Sequence, residues 1–229
     1  MMRQLLLQLA PPAAPTLDNY VPGRNGAALQ ALRDIVRGAR EERFVYLWGE
    51  PGSGRTHLLR GLVEAASARK ALYFSGAPGS CPERDRIEDG GVIAMDDVED
   101  LPAEGQIALF DLYNRVRAAG GALAASGSAA PAQLALRPDL RSRLAWGLAF
   151  QLHPLSDAEK AAALRAHARA RALDLHEDVI AYLLKHARRD MTSLIGILDA
   201  LDRFSLEQKR PVTLPLVRDA LESMKDQLG

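Results

Sequence analysis

Residues 49–56 read Gly49-Glu50-Pro51-Gly52-Ser53-Gly54-Arg55-Thr56, a glycine-rich turn closed by a basic residue and a hydroxyl. Those residue types at that spacing suit the holding of phosphate groups. Gly49, Gly52 and Gly54 let backbone N–H groups, including that of Ser53, turn inward around phosphate oxygens. A helix starting at the turn adds its positive end. Thr56 offers a hydroxyl to a Mg2+ ion, and the basic residue meets the outer phosphates. Further along, the apolar run 92–95 ends in Asp96-Asp97. Asp96 is expected to hold the water shell of the Mg2+ and Asp97 to polarise an attacking water. Capping of a strand end is the competing role, a weak one for Asp96 and a serious one for Asp97. The basic residue is Arg55, where the motif has lysine. A guanidinium keeps the charge but is wider and forked, so nucleotide binding is expected, with slow or absent hydrolysis by this site.

The surrounding pattern supplies the elements that such a turn needs. Residues 44–48 read as a short buried strand leading into the loop, and 56–68 as the helix leaving it. Before them, Leu29, Leu32, Ile35 and Val36 recur at helical spacing. Residues 71–74 read as a second strand, followed by a Gly/Pro-rich loop holding Cys81. Residues 92–95 have the continuous apolar character of a parallel strand buried on both faces. Residues 107–118 read as a helix and 122–125 as a strand. Strands alternating with helices predict an α/β fold whose parallel sheet is sandwiched by helices. No strand pattern is read after about Phe150. Ser156 and Glu159 form a capping-box signature opening a long helix, residues 177–187 and 191–206 are helical, and Thr213 with Pro215 opens a last helix through Leu221 and Met224. The predicted organisation is a flexible arm over residues 1–15, a nucleotide-binding base over 16–153 and a small all-helical lid over 154–229.

Composition narrows the function classes. The 229 residues are 48% apolar and 25% charged, the balance of an ordinary globular protein with enough chain to bury a core unaided. The 29 Lys and Arg match the 29 Asp and Glu, so a protein gripping DNA by phosphate neutralisation alone is disfavoured and direct DNA contact is expected to be weak or indirect. One cysteine excludes an internal disulfide and fits a reducing, cytoplasmic setting. The histidines show no metal-ligand spacing, and no apolar run is long enough for a membrane. The leucine-rich start is too short, and too soon broken by Gln8 and Pro11-Pro12, to read as a signal peptide.

With these features in place, the chain resembles the DnaA clade of AAA+ proteins, and within it the Hda family. The resemblance is carried by residues 46–49 (Tyr46 to Gly49), 54–59 (Gly54 to Leu59, with His57), 110–115 (Phe110 to Arg115), 138–144 with Trp146-Gly147, and 154–157 (Pro154 to Asp157). Arginine in the phosphate loop is usual in that family. The resemblance implies ADP or ATP as ligand with Mg2+, an adenine pocket near Val21, Pro22 and Gly23, and a polar residue at Ser126 beside the phosphates. It makes Arg143 an arginine finger acting in trans on a neighbour's nucleotide, with Arg141 as support; the competing role for Arg143 is a surface ion pair with Asp139. It also likens Gln4, Leu5, Leu7 and Leu9 to a peptide that binds the sliding clamp, the beta subunit of DNA polymerase III. The implied function is non-enzymatic: a clamp-tethered negative regulator of replication initiation that promotes hydrolysis of the ATP bound to DnaA. Where the clade has a lid arginine this chain has Thr192, with Arg188 or Arg189 one turn earlier; and no counterpart of the initiator's DNA-binding module is expected after the lid. A homo-oligomer is compatible with the sequence. The alternatives are a self-acting AAA+ ATPase such as a helicase loader, which Asp97 favours and Arg55 and Thr192 oppose, and a P-loop kinase, which the lid opposes.

Overall fold

A computed structural model describes residues 14–38, 42–77, 90–188, 190–208, 211–218 and 221. The arm residues Gln4, Leu5, Leu7 and Leu9, together with Cys81, Arg189 and Met224, lie outside the described residues. The chain forms two compact units, one of Pro15–Pro154 and one built on Leu155–Gly229.

The first unit is a five-stranded, wholly parallel sheet of β1 (Phe44–Gly49), β2 (Leu72–Ser75), β3 (Val92–Asp96), β4 (Ala122–Gly127) and β5 (Leu148–Leu152), in the order β2-β3-β4-β1-β5. Four of these follow the sequence pattern. The fifth, β5, was not expected: it stands at the sheet edge, and its half-exposed alternation lacks the continuous apolar signal of a central strand. Central strands bury side chains on both faces, as β3 and β4 do at every position. Successive side chains point to opposite faces. Val45, Leu47, Val92, Ala94, Ala122 and Ala124 therefore pack against α1 (Gly26–Arg37) and α2 (Arg55–Ala65). Tyr46, Ile93, Met95, Leu123 and Ala125 pack against α3 (Ala103–Ala118) and α4 (Pro138–Leu144). The helix after the phosphate loop is shorter than the expected 56–68: it ends at Ala65 and a 3-10 turn, Ser67–Arg69, carries the chain on. In contrast, α3 begins a turn earlier than Ile107, because Pro102 stands at its N-cap, where a missing N–H costs nothing.

The second unit comprises α5 (Asp157–Ala170), α6 (Glu177–His186) and α7 (Met191–Gln208), with residues 214–218 also helical. Its start is the predicted capping box. Glu159 N–H donates to Ser156 Oγ at 3.2 Å, and Glu159 Oε2 accepts from Ser156 N–H at 2.8 Å. Leu164, Val179, Leu183, Leu194, Leu198 and Leu201 make its core. Arg165 grips Glu177 through two hydrogen bonds of 2.6 Å, tying α5 to the start of α6. Among the described residues, no helix is long and apolar enough to cross a membrane.

Candidate phosphate-binding site

The turn from β1 into α2 is built as the phosphate chemistry requires. Gly52 and Gly54 have φ of 82° and 95°, values that L side chains rarely adopt. At Gly54 a side chain would also strike the Tyr20 ring, 2.7 Å from where its Cβ would lie. Tyr20 thus roofs the loop, and its hydroxyl reaches Ser53 O at 3.4 Å. Asn25 fixes Tyr20 in turn: its Nδ2 donates to Tyr20 Oη at 3.0 Å and to His153 O at 2.9 Å, while its Oδ1 accepts from His153 N–H at 2.8 Å. One buried asparagine therefore joins the segment before α1 to the end of β5 and to the phosphate loop. Val21 is half-buried, and Gly23 is exposed at the start of a 3-10 turn, Gly23–Asn25, beside this collar.

His57, in the first turn of α2, faces two acceptors with one nitrogen, Nε2, which lies 3.0 Å from Thr16 O and 2.8 Å from Asn19 Oδ1. Nε2 therefore carries the proton. Burial pushes the His57 pKa below the ordinary 6.5. Within the loop, Ser53 Oγ is buried and has no hydrogen-bond partner among the described residues. A buried hydroxyl without a partner costs free energy until something accepts its hydrogen bond. An anionic oxygen at the N-terminus of α2 is the fitting acceptor. Thr56 is exposed beside it.

Arg55 turns towards acids. Its guanidinium lies 3.3 Å from Asp97 and 3.7 Å from Glu99, with the arginine side chain only 13% exposed. Asp97 has a left-handed φ of 49°, a strained conformation away from glycine. Its N–H donates to Ser126 Oγ at 3.2 Å. Burial first, and the charge of Asp96 second, push its carboxyl pKa up, with Arg55 pulling it partly back. Asp96 is buried, and both of its oxygens accept hydroxyl hydrogen bonds, one from Tyr73 at 2.7 Å and one from Ser126. Each oxygen of Asp96 thus accepts one neutral hydrogen bond and keeps a second acceptor position. The structure thus brings Gly49, Gly52, Ser53, Gly54, Arg55, Thr56, Asp96, Asp97 and Ser126 to one end of the sheet. Tyr20, Asn25, Tyr73 and Glu99 join them there, and none of these was singled out from sequence.

Arg143 stands elsewhere. It lies in the last turn of α4, and a Cβ on the nearby Gly147 would overlap the carbonyl of Phe44, the first residue of β1. The phosphate loop follows the last residue of β1. Five strand steps separate the two ends, roughly 16 Å at the usual rise. The alternative ion pair with Asp139 is not formed. Asp139 pairs with Arg137 at 2.8 Å, and the Arg143 guanidinium instead lies over the Trp146 and Phe110 rings, 4.0 and 5.4 Å from their centroids. Arg141 Nη1 reaches Ala132 O at 3.4 Å. In the second unit, Arg188 is 85% exposed and lies 3.4 Å from Asp190, and Thr192 is half-buried in the first turn of α7.

Residues 157–221 match the family model described as the Hda lid domain. Domain III of the Thermotoga maritima replication initiation protein DnaA superposes with a TM-score of 0.70 at 19% identity, over 95% of this chain and 98% of that one. AMPPCP-bound DnaA from Aquifex aeolicus gives 0.67 at 20% identity, over 86% and 70%. A Thermotoga maritima RuvB variant gives 0.64 at 17% identity, over 92% and 71%. At such identities these structures establish a shared fold.

Proposed function

We propose that the chain is a nucleotide-binding regulator of replication initiation of the Hda/DnaA kind, a reading supported by the lid-domain match and the shared fold, and that its arginine finger, Arg143, acts inside the ATP site of a DnaA partner. The observation that carries this is the separation of Arg143 from its own phosphate loop by the length of β1, together with its half-buried, stacked setting, in which Nε has no hydrogen-bond partner among the described residues. A guanidinium so far from its own nucleotide can stabilise transferring phosphate only on a neighbour.

Two features of the site support a resident nucleotide that is held and not consumed. The loop and the unpartnered Ser53 hydroxyl suit an anion. Asp97, the candidate water-polarising acid, is engaged by Arg55 at 3.3 Å and holds its proton more tightly than a free carboxylate. ADP is the ligand of choice on this view, since a site without a free base at the acid position keeps what it binds.

Clamp tethering through Gln4, Leu5, Leu7 and Leu9 completes the proposal. Leucines around a glutamine suit an apolar pocket with a polar notch, and docking on a clamp would raise the local concentration near DNA. This part rests on the sequence resemblance. A pull-down on the sliding clamp, comparing the intact arm with Gln4→Ala plus Leu7→Ala, tests it.

The test of the central claim is to add purified protein to ATP-loaded DnaA with DNA-loaded clamp and follow phosphate release. Arg143→Ala should bind nucleotide and clamp normally and lose the stimulation, by about a thousandfold or more if the finger acts as others do. Undiminished stimulation, or brisk ATP turnover by this chain alone, overturns the assignment; the latter favours a self-acting ATPase.

A further inference from the structure

The start of β1 and the end of α3 border a cavity of about 340 Å3, at the end of the sheet away from the phosphate loop. Its walls are the rings of Phe44, Tyr113 and Trp146 and the charged side chains of Glu42, Arg43 and Arg117. The chain leaves α3 through Gly120 and Gly121, which offer no side chain to fill the space. Phe44 and Tyr113 pack ring against ring, 4.3 Å between centroids. Aromatic walls lower the local dielectric, so a charge entering the cavity feels its neighbours more strongly than in open water.

The charges on these walls do not cancel. Glu42 is the one acid among the described lining residues, and its Oε1 already accepts from Phe44 N–H at 2.9 Å. Arg43 is used by the fold, since its Nη1 donates to Gly120 O. Arg117 is not so used: it is exposed, lies over the Trp146 ring at 4.9 Å and forms no ion pair among the described residues. The carbonyls that end α3 do not compete for it. Val116 O accepts from Gly121 N–H, Arg117 O from Gly120 N–H and Ala119 O from Gly90 N–H. Burial first, and the charge of Glu42 second, push the Tyr113 pKa above the ordinary 10, so its phenol keeps its proton and can donate. A forked cation with unused donors beside aromatic walls fits a planar anion, and the planar anion a protein surface carries is a carboxylate. A polynucleotide would instead need a stripe of unmatched cations, whereas 29 Asp and Glu match the 29 Lys and Arg of this chain. Arg143 lies over the same Trp146 ring at 4.0 Å, so a protein that receives Arg143 brings its own surface against this cavity.

We propose that this cavity is a docking pocket for an aspartate or glutamate side chain of the DnaA partner, and that Arg117 is the residue that holds it. The proposal rests on the finger role given to Arg143 above and deepens it, because it names a contact by which the same partner is recognised. The two arginines then divide the work across one indole: Arg143 acts on the partner's nucleotide, and Arg117 sets how tightly the partner is held.

The experiment follows phosphate release from ATP-loaded DnaA, with DNA-loaded clamp, over a range of concentrations of the full chain and at low and high salt. A thermal melt of each variant confirms that it folds. Arg117→Ala should reach the native plateau but need about tenfold more protein for half of it, and Arg117→Glu should need more again. Added salt should weaken the native protein more than Arg117→Ala, which has less charge to screen. A half-saturating concentration for Arg117→Ala within about twofold of native overturns the proposal. So do equal losses in the two variants, which would make packing on Trp146 the cause and not charge. Each protein is also titrated into a fluorescent single-stranded oligonucleotide; native binding that Arg117→Ala weakens about tenfold would give the cavity to a phosphate backbone and overturn the proposal. A native protein without stimulation, or an Arg143→Ala protein that keeps it, overturns the finger reading and this proposal with it, a pattern distinct from a failure at Arg117 alone.

Discussion

The Arg143 guanidinium lies 4.0 Å from the centroid of the Trp146 ring, and Trp146 is itself 53% exposed, one of two large apolar side chains left so open among the described residues. Arg117 approaches the same ring at 4.9 Å. An arginine on a bare surface samples many rotamers; one lying on an indole has lost much of that freedom before any partner arrives. Cation–π contact contributes on the order of 0.5–1 kcal/mol at exposed sites. Trp146 is thus a platform that restrains the Arg143 side chain.

Under the proposed finger role of Arg143, Trp146→Ala should weaken stimulation of a DnaA partner's ATPase without abolishing it, by roughly three- to tenfold, through the lost preorganisation. Trp146→Phe should recover part of that loss, whereas Arg143→Ala should be unaffected by either change at Trp146. Steady-state phosphate release over a range of this protein's concentration separates a weaker encounter from a slower step. Equal activity of the alanine variant and the native protein would show that the stack is incidental.

Gly54→Ala combines two penalties. The backbone there has a φ of 95°, and the added methyl would sit 2.7 Å from the Tyr20 ring. The expected cost is about 1–3 kcal/mol of stability, and the displaced ring should open the loop and weaken nucleotide binding. Tyr20→Ala in the same chain should relieve the clash and leave the backbone strain, so the double variant should recover only in part. Chemical denaturation of the four proteins measures the coupling.

How far these features could be read in advance depends on how local they are. The loop from Gly49 to Thr56, the acid after 92–95 and the Ser156–Glu159 capping box are written in consecutive residues, and the sequence pattern marks them all. Tyr73 could not be found this way, because its contact with Asp96 needs the β2–β3 register, and nothing in residues 71–74 fixes that register. Tyr20 and Asn25 are likewise joined to the loop and to His153 across long stretches of chain. β5 was lost for a different reason. An edge strand needs only one buried face, and Leu148–Leu152 carries too little apolar periodicity to stand out. The sequence left Arg143 open to an ion pair with Asp139, and only the packing decides it: Asp139 pairs with Arg137, and Arg143 lies on Trp146.

Asn25→Ala removes three hydrogen bonds at once and leaves both the N–H and the C=O of His153 without that partner. Asn25 is 3% exposed, so water cannot readily substitute, and the expected loss is about 2–3 kcal/mol. Asn25→Asp should be nearly as harmful, since a carboxylate accepts from His153 N–H but has no hydrogen for Tyr20 or for the carbonyl. Urea denaturation of each variant gives the magnitude, and a loss no larger than that of an exposed alanine substitution would remove Asn25 from its bracing role.

In the second unit, Leu164 is fully buried among Val179, Leu183 and Leu198. Leu164→Ala should cost about 3 kcal/mol through lost burial and the cavity left behind. A unit this small has little stability to spare. The measurement is hydrogen exchange of α5–α7 amides against those of β3 and β4: protection in the helices should fall much further than in the strands, whereas an equal fall in both would mean that the two units unfold as one.

His57 supplies the pH dependence. Burial holds its pKa in the folded chain below the ordinary 6.5, so the unfolded chain binds the proton more readily. Stability therefore rises with pH through the interval between the depressed value and 6.5, and is lost as pH falls through that interval. The proton that would be added goes to Nδ1, since Nε2–H is already given to Thr16 O and Asn19 Oδ1. In His57→Gln the amide can still donate to those acceptors but cannot titrate. Denaturation midpoints measured across this range should fall on acidification for the native protein and flatten for the glutamine variant. Because His57 stands in the first turn of α2, beside the phosphate loop, nucleotide bound there should oppose the acid loss by drawing on the same folded form. Parallel acid profiles in the two proteins would assign the titration to some other group.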